Sequence, residues 1–152
     1  MAEYSANAVQ TVNPGEAVVF TESPVPCRRG LVRHRDDTGS FLLSGNLQYP
    51  PCRCIDSANY LVDFGANIAV PTGGTVGPIS LAIAIDGTTI ASSQMIVTPA
   101  AVEEFFNVSR AINAQIWRGC CETVSVINTS DQPILVQNAN IIFSAPTAGY
   151  GN

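Results

Sequence analysis

A chain of 152 residues fits one domain, large enough to bury about two thirds of the surface that its unfolded form exposes. Apolar residues make up 46% and charged residues only 12%, against about 25% in an average soluble domain, so part of the surface is expected to be covered by copies of the chain or by a partner. The net charge is −5 and every basic residue is an arginine, which argues against general binding of nucleic acid, an affinity that comes from a basic surface.

The first residues, MAEYSANAVQTV, lack a strong pattern and read as an arm, residues 1–14, outside the domain. They have no basic segment followed by an apolar one, and no apolar run reaches the ~20 residues that span a bilayer. Synthesis in the cytoplasm and no membrane partner are therefore expected. AVVF at 17–20 reads as a short strand. RRGLVRHRDDTG at 28–39 follows with a local charge of +2, leaving −7 elsewhere, and SFLLSG supplies the next strand.

YLVDFGANIAV places Tyr60, Val62, Phe64, Ala66, Ile68 and Val70 on one face of a half-buried strand. PTGGTVGP is a loop by its glycine and proline content. In ISLAIAIDGTTI, Ile79, Leu81, Ile83 and Ile85 alternate with small or polar residues, and Asp86-Gly87 supplies a tight hairpin turn with a returning strand over 88–95. TPAAVEEFFNVSRAI allows one or two helical turns opened by Thr98 and Pro99, then a strand. ETVSVIN and ILVQNANIIF are strands separated by the turn TSDQP. Short strands joined by Gly- and Pro-rich turns, without strand-helix alternation, predict an all-β sandwich or barrel.

Catalysis has little to work with, because His34 is the only histidine. HRDDTG has no Gly-rich loop or lysine beside it to make a kinase signature. His34 with Asp36 reads as a surface hydrogen bond. Cys27, Cys52 and Cys54 with His34 have poor spacing for zinc, and free thiols are expected from cytoplasmic synthesis and an odd cysteine count. Cys120 and Cys121 would face opposite sides of a strand. No catalytic residue, metal or cofactor is assigned. Trp117 reads as core or interface packing.

YLVDFGANIAVPTGGTVGPISLAIAIDGTTIASSQ and CCETVSVINTSDQPILVQNANIIFSAP resemble the central and final strands of a TNF/C1q-like jelly roll. PCRRGLVRHRDDTGSFLLSGN and AAVEEFFNVSRAINAQIWRGCCETVSVIN resemble a group of small proteins of Firmicutes genomes and their phages. The resemblance implies a jelly-roll sandwich of about eight to ten antiparallel strands over residues 15–146, with 147–152 as a tail. It implies a homotrimer that works by binding: a capsid decoration protein on the virion surface, with the phage major capsid protein as partner. The alternative is a carbohydrate- or receptor-binding module of a spore or cell surface. Arg28, Arg29, Arg33 and Arg35 are the candidate partner-binding residues, on an edge strand and loop at one end of the sandwich. Small faces such as Ala82 and Ala84 are expected to leave apolar surface for the trimer.

Overall fold

The structure is a computed structural model that describes residues 1–27, 29–35, 37–47, 55–119 and 121–150. Among the described residues it holds thirteen strands in two antiparallel sheets. The first six are β1 (Ala2–Ala6), β2 (Gln10–Val12), β3 (Glu22–Val25), β4 (Val32–His34), β5 (Phe41–Ser44) and β6 (Ile55–Ala69). Then come β7 (Ile79–Ile85), β8 (Thr88–Thr89), β9 (Met95–Val97), β10 (Phe106–Trp117), β11 (Cys121–Asn128), β12 (Ile134–Phe143) and β13 (Thr147–Tyr150). One sheet runs β10-β6-β12-β1-β3, with β13 beside β6 and β2 beside β12; the other runs β4-β5-β11-β7-β8, with β9 beside β7.

Period-two patterning decides which face each strand buries. In β6 the side chains of Tyr60, Val62, Phe64, Ala66 and Ile68 enter the space between the sheets, where Ile79, Leu81 and Ile83 of β7 meet them. Phe20, Phe41, Phe143 and Tyr4 are also buried there, with Phe41 centred 5.0 Å from Phe143, 4.9 Å from Tyr4 and 5.2 Å from Phe20. Burying each such ring contributes about 1.5–3 kcal/mol.

The hairpin forms as its sequence demands. Asp86 and Gly87 both take positive φ, 51° and 79°, which the tight two-residue turn requires. The returning strand is shorter than expected: β8 lasts two residues before a 3₁₀ turn at Ala91–Ser93. Ser93 Oγ accepts from Ile83 N at 2.9 Å, so one hydroxyl takes the place of a ladder partner and strand pairing resumes only at β9.

Four further expectations change. Residues 2–6 are not an arm: β1 lies between β12 and β3, with Ala2, Tyr4 and Ala6 buried. Within the expected tail, residues 147–150 form β13 against β6. AVVF makes only an isolated bridge from Ala17 to Ile127, because Val19 is held by the side chain of Gln10 rather than by a strand. No helix follows Thr98, since the Glu104 carboxylate accepts from Ala100 N and Ala101 N and Glu103 turns with φ 57°.

Candidate functional site

β4 is an edge strand, paired with β5 through Val32–Leu43, Arg33–Leu42 and His34–Phe41. Alternation turns Val32 and His34 inward and leaves Arg33 and Arg35 exposed on the outer face. Leu42 stands opposite Arg33, and Thr123 of β11 stands opposite Leu42. Together with His34, Arg35 and Ser40, these residues line an open depression of about 390 Å³.

The rim is tied by the β4–β5 turn, which Asp37 enters with φ 58°. Thr38 donates its N–H and its hydroxyl to the Arg35 carbonyl, at 3.2 and 2.7 Å, and the same hydroxyl accepts from Ser40 N at 3.3 Å. On the floor, Asp86 Oδ1 accepts from Thr123 N at 2.8 Å and from its hydroxyl at 3.1 Å. The Arg33 guanidinium crosses the preceding turn at Gly30, where a Cβ would sit 3.8 Å from Nε; Gly30 has φ 68°.

The expected cluster is therefore divided. Arg33 and Arg35 share the depression, Arg29 is exposed on the turn before β4, and Arg28 lies outside the described residues, as does Asp36. His34 is not the surface group foreseen. Its ring stacks on Phe41 at 4.6 Å and 21° and lies 5.0 Å from Tyr4, while Nε2 is 3.0 Å from the Thr38 carbonyl.

Cys52, Cys54 and Cys120 lie outside the described residues, whereas Cys27 and Cys121 are free thiols. Among the described residues, no three His, Cys, Asp or Glu side chains converge to hold a metal. Burial pushes the Cys27 thiol up, but N–H groups of Val32, Arg29 and Leu31 directed at it outweigh burial and hold it below the ordinary thiol value. Tyr60 is pushed up to about 12, mainly by burial and then by the neighbouring Cys27 charge.

Sequence reasoning missed the outer face of the β10-β6-β12 sheet. Asn107 donates to Asn67 Oδ1 at 3.1 Å, Asn67 to Asn138 Oδ1 at 3.4 Å, and Asn140 to Glu3 Oε1 at 2.7 Å, an amide ladder across the strands. The only available signal was the run of Asn and Gln at positions alternating with core residues. Trp117, expected in packing, ends β10 with 54% of its surface exposed. Ala82 and Ala84 offer no free apolar surface, because both are fully buried within one chain. Their strand is interior to its sheet, and a methyl group between neighbouring strands is covered by them.

No family model matches the chain. No curated protein matches it either. Among solved structures, a TNF protein, Eiger, from S. frugiperda superposes with TM-score 0.65 at 11% identity, covering 99% of this chain and 93% of its own. The globular domain of zebrafish complement 1qA superposes with TM-score 0.53 at 10% identity, covering 93% and 94%. A family 35 carbohydrate-binding module from Paenibacillus barcinonensis reaches only TM-score 0.37 at 17% identity, over 94% of this chain and 98% of its own. Two antiparallel sheets in this order, superposing on C1q and TNF domains over nearly the whole chain, give this chain the TNF/C1q-like jelly-roll fold.

Proposed function

We propose that this protein is a homotrimeric capsid decoration protein of a bacteriophage, docked on the virion surface by Arg33 and Arg35. The supporting observation is the placement of two guanidiniums on one side of an edge strand, around an open depression, in a chain of net charge −5. Arginine pairs with carboxylates in a planar, bidentate manner, so such a site selects acidic side chains on a protein partner, here the major capsid protein. The overall negative charge repels diffuse polyanions, which favours local pairing over attraction to nucleic acid. The phage assignment rests on the resemblance of the motifs Pro26–Asn46 and Ala100–Asn128.

The one histidine is engaged by Phe41, Tyr4 and the Thr38 carbonyl, which supports a role in binding. In this reading the trimer contact uses the start of β10. Phe105 and Phe106 expose apolar surface there, at the β10 edge of its sheet, as do Val102 of the preceding turn and Ile96 of β9 in the other sheet. Native mass measurement of the purified protein, followed by co-sedimentation with undecorated heads of the phage that encodes it, tests both parts. A trimer that sediments with heads is expected; a monomer at micromolar concentration, or a trimer that stays in the supernatant, contradicts the proposal.

A further inference from the structure

The far end of β10 carries a second arrangement, independent of the arginines. Ala114 and Ile116 are buried, so alternation turns Gln115 and Trp117 to the outer face of the sheet. Trp117 pairs across the strands with Ser57, and Ser57 pairs with Gly149. Ser57 faces the same side as Trp117 but is short and only 1% exposed, and Gly149 adds no side chain, since a Cβ there would collide with Ser57 Oγ. The exposed ring thus borders a flat shelf.

The next row, ~7 Å along the sheet, holds Gln115, Asn59 and Thr147 in register. Gln115 donates Nε2 to Ser57 Oγ at 3.1 Å, which leaves its Oε1 as an acceptor. Asn59 Nδ2 lies 3.2 Å from where a Gly149 Cβ would be, so this amide leans over the shelf. No charged side chain stands in either row; Asp56 and Arg118 occupy alternate positions, joined through their backbones at 2.8 Å.

The geometry points to a binding site for a neutral saccharide, with a pyranose ring stacked on Trp117 and its hydroxyls held by Asn59 and Gln115. Indole is a broad apolar platform with a polar edge, and it suits the C–H face of a sugar. Side-chain amides both donate and accept, which matches hydroxyl groups that do the same. Without a cation in the two rows, an acidic sugar gains nothing over a neutral one. This inference goes beyond capsid docking and uses the outer face of the other sheet from Arg33, at the opposite end of β10 from its apolar start.

Trp117 is the only tryptophan, so fluorescence excited selectively at the indole, beyond tyrosine absorption, reports this site alone. The test titrates the full chain with neutral oligosaccharides of glucose, xylose, mannose and N-acetylglucosamine at millimolar concentration, beside acrylamide quenching of the free protein. A saturable emission change with at least one glycan is expected. Asn59→Ala should weaken it about tenfold, the equivalent of one hydrogen bond. Glycan affinity chromatography, which needs no tryptophan signal, should show retention retained by Trp117→Phe and abolished by Trp117→Ala. Absence of any glycan response overturns the inference. So does an indole shielded from acrylamide in the assembled protein, or a Trp117→Ala variant whose oligomer falls apart, since either result gives this face to a second copy.

Discussion

Tyr60 donates its phenolic hydroxyl to the Ser44 carbonyl at 2.6 Å, joining β6 of one sheet to the end of β5 in the other. The same hydroxyl lies 3.4 Å from the Leu31 carbonyl, just before the edge strand that carries Arg33. One buried hydroxyl therefore braces the frame on which the candidate site is built.

Burial of that hydroxyl, and after it the neighbouring Cys27 charge, makes stability depend on pH. An unfolded tyrosine titrates near 10, whereas folded Tyr60 is pushed up to about 12. Between those values the unfolded chain loses a proton that the folded chain retains. The contribution is fully present below pH 10 and is lost as pH rises through 12. Water reaches the half-buried Leu31 and Ser44, so screening limits the effect to on the order of 1–2 kcal/mol. Urea denaturation of wild type and Tyr60→Phe across this window should show a steeper loss in wild type; parallel curves contradict the assignment.

Cys27 should behave as an acidic thiol. Burial acts against the thiolate, but the N–H groups of Val32, Arg29 and Leu31 prevail. Iodoacetamide alkylation followed by peptide mass mapping should give a rate midpoint for Cys27 below the ~8.5 of an ordinary cysteine. A midpoint at or above that value means the backbone donors do not hold the sulfur.

Ser93 replaces a ladder partner of Ile83, accepting its N–H at 2.9 Å and donating to the Ile90 carbonyl at 2.7 Å. Ser93→Ala leaves the Ile83 N–H buried without a partner and should cost about 1–3 kcal/mol in chemical denaturation. An unchanged denaturation midpoint indicates that the 3₁₀ turn rearranges.

The elements legible in the sequence are those with strong local signals. Ile79, Leu81 and Ile83 have bulky period-two spacing and a following Asp-Gly, so the face and the turn were both readable. β1 was not, because Ala2 and Ala6 are small and the segment becomes a strand only through its neighbours β12 and β3. Thr98-Pro99 carries a helix-start signal, yet the Glu104 carboxylate ties up the N–H groups of Ala100 and Ala101 in a turn. At the site, the spacing of Arg33 and Arg35 put both on one face, whereas the stacking of His34 depends on Phe41 of the paired strand β5 and on Tyr4 of the distant β1. The exposure of Trp117 was equally hidden: a lone aromatic at a strand end has the same sequence whether covered or bare, and only its register with Ser57 and Gly149 distinguishes the two.

The most direct test is a binding isotherm of the Arg33→Ala, Arg35→Ala double variant on undecorated phage heads, with its native mass measured in parallel. Both side chains are exposed and lie outside the apolar contact at Phe105 and Phe106, so the variant should fold and keep the wild-type oligomeric mass. Its affinity for heads should fall by at least about tenfold, since each charge-assisted pair lost is worth ~1.5–3 kcal/mol. A variant that keeps its mass and binds heads with wild-type affinity contradicts docking through this depression.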